Sequence, residues 1–194
     1  MGQEEKKEEL SKLTLGVGIG PNHLFKDVFD YSLTTDSDHK LKIEKLNRNS
    51  IVVSPVIVFR FAKIAKTEGS TEIRKFDKNR TLLEASSVSF YDKLSLILST
   101  DLINVQSDKV SFNNKIDGGI GIGYSFNTNL MLGLFYEIKN YRQLRNYIVE
   151  QYENQSIPNG SENYNALDEK DNNLFYNKPI ESISLKLIFN FNSL

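Results

Sequence analysis

The residue types best suited to nucleophilic catalysis lie together in one short polar segment. His39 follows Ser37 and is accompanied by Asp36 and Asp38. A histidine base beside a hydroxyl can activate that hydroxyl as a nucleophile. Polar loops commonly contain these residue types, however, and neighbours within one loop seldom converge on the required geometry. We therefore assign no catalytic residue and expect no enzymatic activity.

The composition excludes most other site chemistry. The chain has 194 residues, no cysteine and two histidines, His23 and His39. Disulfides, thiolate nucleophiles and cysteine-based zinc sites are thus excluded, and a multi-histidine metal site nearly so. The acidic run at 168–171 lacks the spacing of a calcium loop. The glycines at 16, 18 and 20 lie inside a predicted strand and are not a nucleotide loop. We expect neither metal nor cofactor, and a net charge of −1 indicates no nucleic-acid partner.

Charged residues recur on one face of the predicted strands, among glycines. They are Lys12, Arg60, Asp101, Asp117, Glu137, Lys139 and Lys186. Buried charges need partners, and glycines leave room for long side chains. This set therefore predicts a salt-bridged lumen with no open pore, inside a barrel only wide enough for side chains.

The elements that carry these residues show a period of two. From 116 to 127 and again from 130 to 139, large apolar residues alternate with small or polar ones, which predicts a hairpin. Four further segments alternate as clearly, at 13–19, 51–62, 94–102 and 183–191. Two weaker strands are predicted at 38–46 and 81–90. Pro55 predicts a bulge, because proline cannot donate to the strand ladder.

The connections between these eight strands alternate in length. Short ones lie at 47–49, 91–93 and 127–129, and the predicted external loops lie at 21–37, 63–80, 106–115 and 141–178. Bacterial outer-membrane barrels have this asymmetry and an even strand number. The sequence therefore predicts an all-β fold, an eight-stranded antiparallel up-and-down transmembrane β-barrel. It occupies residues 11–194 and follows a charged periplasmic stub at 1–10.

The apolar face decides between two classes of barrel. In a membrane barrel this face contacts lipid, whereas in a soluble calycin-like barrel it surrounds a lipid or a small apolar ligand. The second arrangement would expose the glycine-bearing face to water, where soluble sheets usually carry Lys, Glu and Thr. We favour the membrane barrel and retain the calycin-like barrel as the alternative. No run of 18 apolar residues is present, so helical spans are not expected.

Aromatic residues suggest two further surfaces. A lipid-facing girdle is predicted from Tyr124, Phe126, Tyr136, Phe189 and Phe191. The acidic segment 141–178 supplies candidates for binding an extracellular or membrane protein partner. These are Tyr147, Tyr152, Tyr164, Phe175 and Tyr176.

The final strand, Leu-Lys-Leu-Ile-Phe-Asn-Phe at 185–191, and the alternation along almost the whole chain resemble small outer-membrane β-barrel proteins of Gram-negative bacteria. The resemblance implies an outer-membrane location, lipid contact, and recognition of the last strand by the barrel assembly machinery. Here three residues follow the aromatic Phe191, which departs from the usual ending. Some such barrels modify lipids with a rim His, Ser and acid, so a lipid-modifying enzyme is a second alternative. Because residues 1–10 contain no apolar signal region, we expect the sequence to be a mature form.

Overall fold

The computed structural model describes residues 7–9, 12–62, 64–67, 72–75, 83, 88–106, 109–112 and 117–191. Fifteen strands and one short helix lie within these ranges. They are β1 (Lys7–Glu9), β2 (Leu13–Leu24), β3 (Phe29–Leu33), β4 (Leu41–Lys45), β5 (Asn49–Arg60), β6 (Ile64–Thr67), β7 (Arg74–Lys75), β8 (Leu94–Thr100), β9 (Ile103–Gln106), β10 (Lys109–Phe112), β11 (Gly118–Ser125), β12 (Leu130–Leu144), α1 (Asn146–Tyr152), β13 (Pro158–Asn159), β14 (Glu162–Asn163) and β15 (Phe175–Phe191). Within the described residues, no helix has the length and apolar character needed to cross a membrane.

The fold is mostly antiparallel β, so the predicted all-β class is confirmed. The largest sheet has the order β10-β9-β5-β2-β15-β12-β11-β8, and β5 pairs with β8 as well. That last pairing is antiparallel and joins residues 56–60 to residues 95–99. The strands β2, β8, β11, β12 and β15 consequently have two neighbours each in the sheet, and β5 has three, namely β2, β8 and β9.

The eight members of this sheet are not the eight predicted strands. The six clearly alternating segments all belong to it, but the weak strand predicted at 38–46 is β4, which pairs with β3 in a separate two-stranded sheet. Most of the other weak strand, at 81–90, lies outside the described residues. The remaining two members, β9 and β10, form a hairpin where the sequence predicted the start of a loop. Alternation predicted that a strand exists at 38–46, but it carries no information about which strand is its partner.

The irregularity expected at Pro55 lies in the neighbouring strand. Pairing between β2 and β5 continues through Pro55 without a break. On the other side of β5, Val56 lies opposite Ser99 whereas Val53 lies opposite Ile103, so the segment joining β8 to β9 holds one extra residue. Val53 O accepts a hydrogen bond from Leu102 N (3.1 Å). Backbone polar groups two residues apart on a strand point to the same side, so the nitrogen of Pro55 also faces the segment that joins β8 to β9. The missing N–H thus coincides with a β-bulge at residues 101–102.

The chain divides into two compact units. Unit 1 comprises Met1–His23, Asn49–Ile138 and Ser182–Leu194, and unit 2 comprises Leu24–Arg48 and Lys139–Glu181. The stub and three predicted loops contain more regular structure than expected. In unit 1, β1 of the charged stub pairs with β6 of the predicted loop 63–80.

Unit 2 replaces the long loops predicted at 21–37 and 141–178. It contains the hairpin of β3 and β4, the helix α1 and the short hairpin of β13 and β14. Its core consists of the buried residues Leu41, Leu144, Ile148, Ile157, Leu174 and Phe175. Unit 2 is therefore organised like a water-soluble domain, with its apolar side chains inside.

Unit 1 has the opposite organisation. Along β2, β5, β11, β12 and β15, exposed and buried residues alternate, and most of the large apolar residues are on the exposed face. Several buried positions are glycines, which make room for bulky neighbours. A Cβ on Gly133 would lie 2.6 Å from the ring of Phe135 and 2.9 Å from Ile188 Cδ1, and a Cβ on Gly119 would lie 2.6 Å from Glu137 Cγ.

We expect Gly133→Ala to destabilise unit 1 by about 1–3 kcal/mol, because the added methyl overpacks the interior. The three nearest neighbours are side-chain atoms of Phe135 and Ile188, so Phe135→Leu in the same chain should recover part of this loss. The free energy of unfolding of the detergent-solubilised protein, from a urea titration, measures both effects. Gly18→Ala is the matched control, since its nearest neighbours lie at 3.4 Å, an ordinary contact distance. Equal losses at Gly133 and Gly18 would contradict the packing argument.

Candidate functional site

A charged cluster lies in the interior of unit 1 and joins three strands. Lys186 of β15 is completely buried, and its ammonium forms salt bridges with Asp101 (2.9 Å to Oδ1) and with Glu137 Oε1 of β12. It also donates to Ser54 Oγ of β5, which in turn donates to Asp101 Oδ1. One cation thus links β15 to β12, to β5 and to the bulge after β8.

Further hydrogen bonds orient the carboxylate of Glu137. Asn22 Nδ2 donates to Glu137 Oε2 and to Ser182 Oγ, both at 3.0 Å, and Ser99 Oγ donates to Glu137 Oε1 at 3.1 Å. The Lys186 ammonium also lies over the Phe135 ring, 4.9 Å from its centroid. Hydrogen bonds and a cation–π contact offset the large cost of burying three charged groups.

The bulge at residues 101–102 brings Asp101 into this cluster. Asp101 follows the last residue of β8, where its backbone nitrogen still donates to the carbonyl of Asp117, the residue before β11 (2.9 Å). Pairing with β5 resumes at Ile103, after the extra residue, and Leu102 is exposed. Bulges often re-aim a side chain in this way.

An apolar layer lies beside the charged cluster in the same interior. Its buried members are Val56, Val58, Ile97, Met131, Phe135 and Ile188. They come from β5, β8, β12 and β15, so the layer extends across the inside of unit 1. Beyond it on β5 comes Arg60, whose guanidinium donates to Thr14 Oγ1 (3.0 Å) and Thr128 O (3.3 Å).

The structure brings together three of the seven predicted lumen charges, Asp101, Glu137 and Lys186. Arg60 and Asp117 are also buried in unit 1, and Lys139 is buried in unit 2. Lys12 is exposed, so its placement in the lumen was wrong. It precedes β2 at the end of the sheet, where its backbone oxygen accepts from Arg60 N while its side chain is in solvent.

Alternation alone did not identify the neutral partners of this network. Asn22, Ser54, Ser99 and Ser182 are all buried on the same face as the charges. The sequence did contain a signal for these partners: serines and an asparagine alternate with large apolar residues along the strands, which places them on the face of the charges. Their hydrogen bonds depend on strand order, which the alternation does not contain.

The predicted girdle residues lie on the outward face. Phe126, Tyr136, Phe189 and Phe191 are exposed and Tyr124 is partly so. Tyr124 stacks on Phe90 (centroids 5.2 Å apart) and contacts Phe126 edge-to-face.

The five aromatic binding candidates of unit 2 differ in exposure. Tyr147 is exposed, whereas Phe175 is buried in the core of the unit, so its assignment to a binding surface was wrong. Tyr152 and Tyr164 pack against that core, and Tyr176 is partly buried. An aromatic residue in a polar segment is as easily a core residue as a contact residue once the segment folds.

The segment around His39 forms a turn. Asp36 accepts hydrogen bonds from the Thr34 hydroxyl and from His39 N (3.2 Å), and the His39 ring contacts Thr34 O (3.3 Å). Ser37 Oγ contacts Asp38, at 3.5 Å. His39 also has a positive φ of 47°. These contacts belong to a turn held by side-chain-to-backbone bonds, with no serine–histidine bond among the described residues. Across all the residues that the structure describes, no group of three His, Asp or Glu side chains is placed to hold a metal.

Tyr31 anchors the β3–β4 hairpin of unit 2. Its hydroxyl donates to Gln143 Oε1 (3.1 Å), and Gln143 Nε2 donates to Phe29 O (2.9 Å). Burial, with a smaller contribution from Tyr176, raises the pKa of Tyr31 to about 12.

Comparison with known proteins gives no match: no family model fits the chain, and no curated protein and no solved structure is similar to it.

Replacing Lys186 with Met should destabilise the protein by about 3–5 kcal/mol, because two carboxylates then stay buried without their cation. Adding Asp101→Asn and Glu137→Gln removes those charges and should restore part of the loss. Urea unfolding of the three proteins tests this. Lys42→Met is the control, since Lys42 and its partner Glu44 are both exposed, and we expect a change within about 0.5 kcal/mol. Wild-type stability in Lys186→Met would refute the network.

The raised pKa of Tyr31 predicts a loss of stability at alkaline pH. An unfolded tyrosine ionises near pH 10, whereas the folded one stays neutral until about 12, so its contribution is complete below 10 and disappears through this interval. Ultraviolet absorbance of phenolate should show one late-ionising tyrosine in the folded protein, absent from Tyr31→Phe. The exposed Tyr147→Phe variant should retain it. A late phase that persists in Tyr31→Phe would assign it to another residue.

Proposed function

We propose that the chain is an outer-membrane β-barrel with a plugged polar lumen and a structural or surface-binding role. The observation that carries this proposal is the inverted burial of unit 1. Leu15, Ile122 and Leu134 are more than half exposed, whereas Lys186 and Glu137 have no exposed surface. Water disfavours this arrangement on both faces, while a hydrocarbon exterior favours it.

The strand pairing supports a membrane exterior. In hydrocarbon every backbone N–H and C=O must be hydrogen-bonded within the protein, so spanning sheets have to close. The order β5-β2-β15-β12-β11-β8 together with the β5–β8 pairing supports the proposed closure. The proposed barrel has six strands, fewer than the roughly eight of the smallest bacterial barrels. Fewer strands enclose a narrower interior, which side chains alone can fill.

The interior supports a plug rather than a pore. Phe135, Ile188 and the other side chains of the apolar layer are almost completely buried. Water and ions would have to separate that layer to pass. The proposed protein therefore has no constitutive channel.

The binding role falls to unit 2, with its own core and the exposed Tyr147. Its partner would be an extracellular or membrane protein. The lipid-modifying alternative gains no support from the turn around His39. The calycin-like alternative would bury the apolar face, and the inverted burial argues against it.

The outer-membrane location and assembly through the last strand remain part of the proposal. β15 is the longest strand among the described residues, with 17 residues, and from Ile180 to Phe191 its buried and exposed residues alternate without interruption. Such a strand offers the dyad pattern that the assembly machinery would recognise.

The decisive experiment is fractionation of cells producing the protein, with gel migration of unboiled and boiled samples. A closed membrane barrel resists SDS when unboiled and shifts on boiling. Recovery with outer membranes and a heat-dependent shift support the proposal. Solubility without detergent, and no shift, would replace it with the calycin-like barrel.

A charged substitution on the apolar face of unit 1 distinguishes more sharply between a lipid and a water environment. Leu134 is 54 % exposed, so Leu134→Arg should be almost neutral in a water-soluble protein. In a bilayer the same change should cost about 2–4 kcal/mol near the midplane. The free energy of unfolding from lipid vesicles measures it. Tyr147→Arg, at a residue 57 % exposed in unit 2, is the matched control and should change little. Similar small effects at both positions would contradict a lipid-facing Leu134.

A further inference from the structure

Arg60 is a buried cation separated from the other charges of its unit. Only 5 % of its surface is exposed, and it makes no salt bridge with any carboxylate of the described residues. Its two hydrogen-bond acceptors, the Thr14 hydroxyl and the Thr128 carbonyl, are neutral. A buried charge without a counter-charge is costly, so its retention requires compensation.

The carboxylates of the charged cluster cannot supply that compensation. Ser54, which contacts Lys186, lies six residues before Arg60 on the same strand. At about 3.3 Å per residue the separation is roughly 20 Å. The apolar layer, including Val56 and Val58 of β5, occupies the interval. Asp101 and Glu137 are also already bonded to Lys186.

The surroundings of Arg60 offer further donors. Among the described side chains, Arg60 Nε, Ser95 Oγ and both polar atoms of the Asn190 amide, Nδ2 and Oδ1, are buried without a hydrogen-bond partner. Ser95 and Asn190 are each more than nine-tenths buried. An N–H, an O–H and an amide NH₂ can all donate, and the guanidinium adds a full positive charge.

Strand pairing brings these donors into one layer of the interior. Ser95 lies directly opposite Arg60 in the β5–β8 pair. On the other side, Asn190 N donates to Asn129 O (2.8 Å), one residue after the Thr128 carbonyl that Arg60 binds. Arg60, Ser95 and Asn190 thus come from three strands and converge at the same end of unit 1.

We propose that Arg60, Ser95 and Asn190 form a binding site for a small monovalent anion of halide size. Both terminal nitrogens of Arg60 already donate to protein oxygens, which leaves Nε as the nitrogen without an acceptor. Single donors converging from three side chains suit a small spherical ion, whereas planar oxyanions favour a bidentate guanidinium fork. The site depends on the interior of unit 1 and not on the identity of the solvent outside it.

Thermal unfolding of the full chain in non-ionic detergent tests the site, with sodium bromide replacing sodium gluconate at constant ionic strength. We expect the melting temperature to rise saturably with bromide, by roughly 3 °C near saturation. Arg60→Met should remove this dependence. Arg145→Met, which removes an exposed arginine of unit 2, should keep it. A purely structural role of Arg60 would instead lower the melting temperature equally in both salts.

The remaining outcomes are also decisive. No bromide dependence in the wild type overturns the proposal, and so does an unchanged dependence in Arg60→Met. Stabilisation by sodium sulfate but not by bromide would overturn the halide-sized class. If Arg60→Met does not fold, anomalous diffraction from bromide-soaked wild-type crystals decides: a peak beside Arg60 Nε supports the site, and its absence there overturns it.

Discussion

The fold of unit 1 depends on the burial of the Lys186 ammonium with Asp101 and Glu137. Three charged groups can remain inside a protein only if they face one another and their other lone pairs and protons are bonded. That condition explains several separate features of the chain. Pro55 lies beside the bulge that delivers Asp101, Gly119 leaves room for Glu137, and serines line the inward face. Each is a local irregularity that serves one central interaction.

The two units satisfy the hydrophobic effect in opposite ways. Unit 2 buries Leu41, Ile148 and Phe175 in an ordinary core, as a domain surrounded by water does. Unit 1 exposes most of its leucines, isoleucines and phenylalanines and buries Lys186 and Glu137. One sequence therefore contains two units with opposite distributions of apolar residues. This contrast is the physical basis for proposing a membrane location for unit 1 and a binding role for unit 2.

The interior of unit 1 is layered, and the layers have different consequences. The charged cluster ties strands together, and the apolar layer around Phe135 excludes water. The layer that contains Arg60 holds a cation and buried donors whose chemistry calls for an anion. A structural barrel needs the first two layers. The third is the feature of the interior that a purely structural role leaves unexplained.

The sequence by itself determined the faces. A period of two places Asp101, Glu137 and Lys186 on one side of their strands and the large apolar residues on the other, because successive side chains of a strand point in opposite directions. It also predicted the six long strands of the large antiparallel sheet. Only the tertiary structure decided that β4 pairs with β3, that the extra residue lies at 101–102, and that Lys12 is exposed while Arg60 is buried. It also decided that the segment 141–178 folds around a core containing Phe175. Partner choice, bulge position and burial depend on contacts between residues distant in the chain, and the alternation of a single strand contains no information about them.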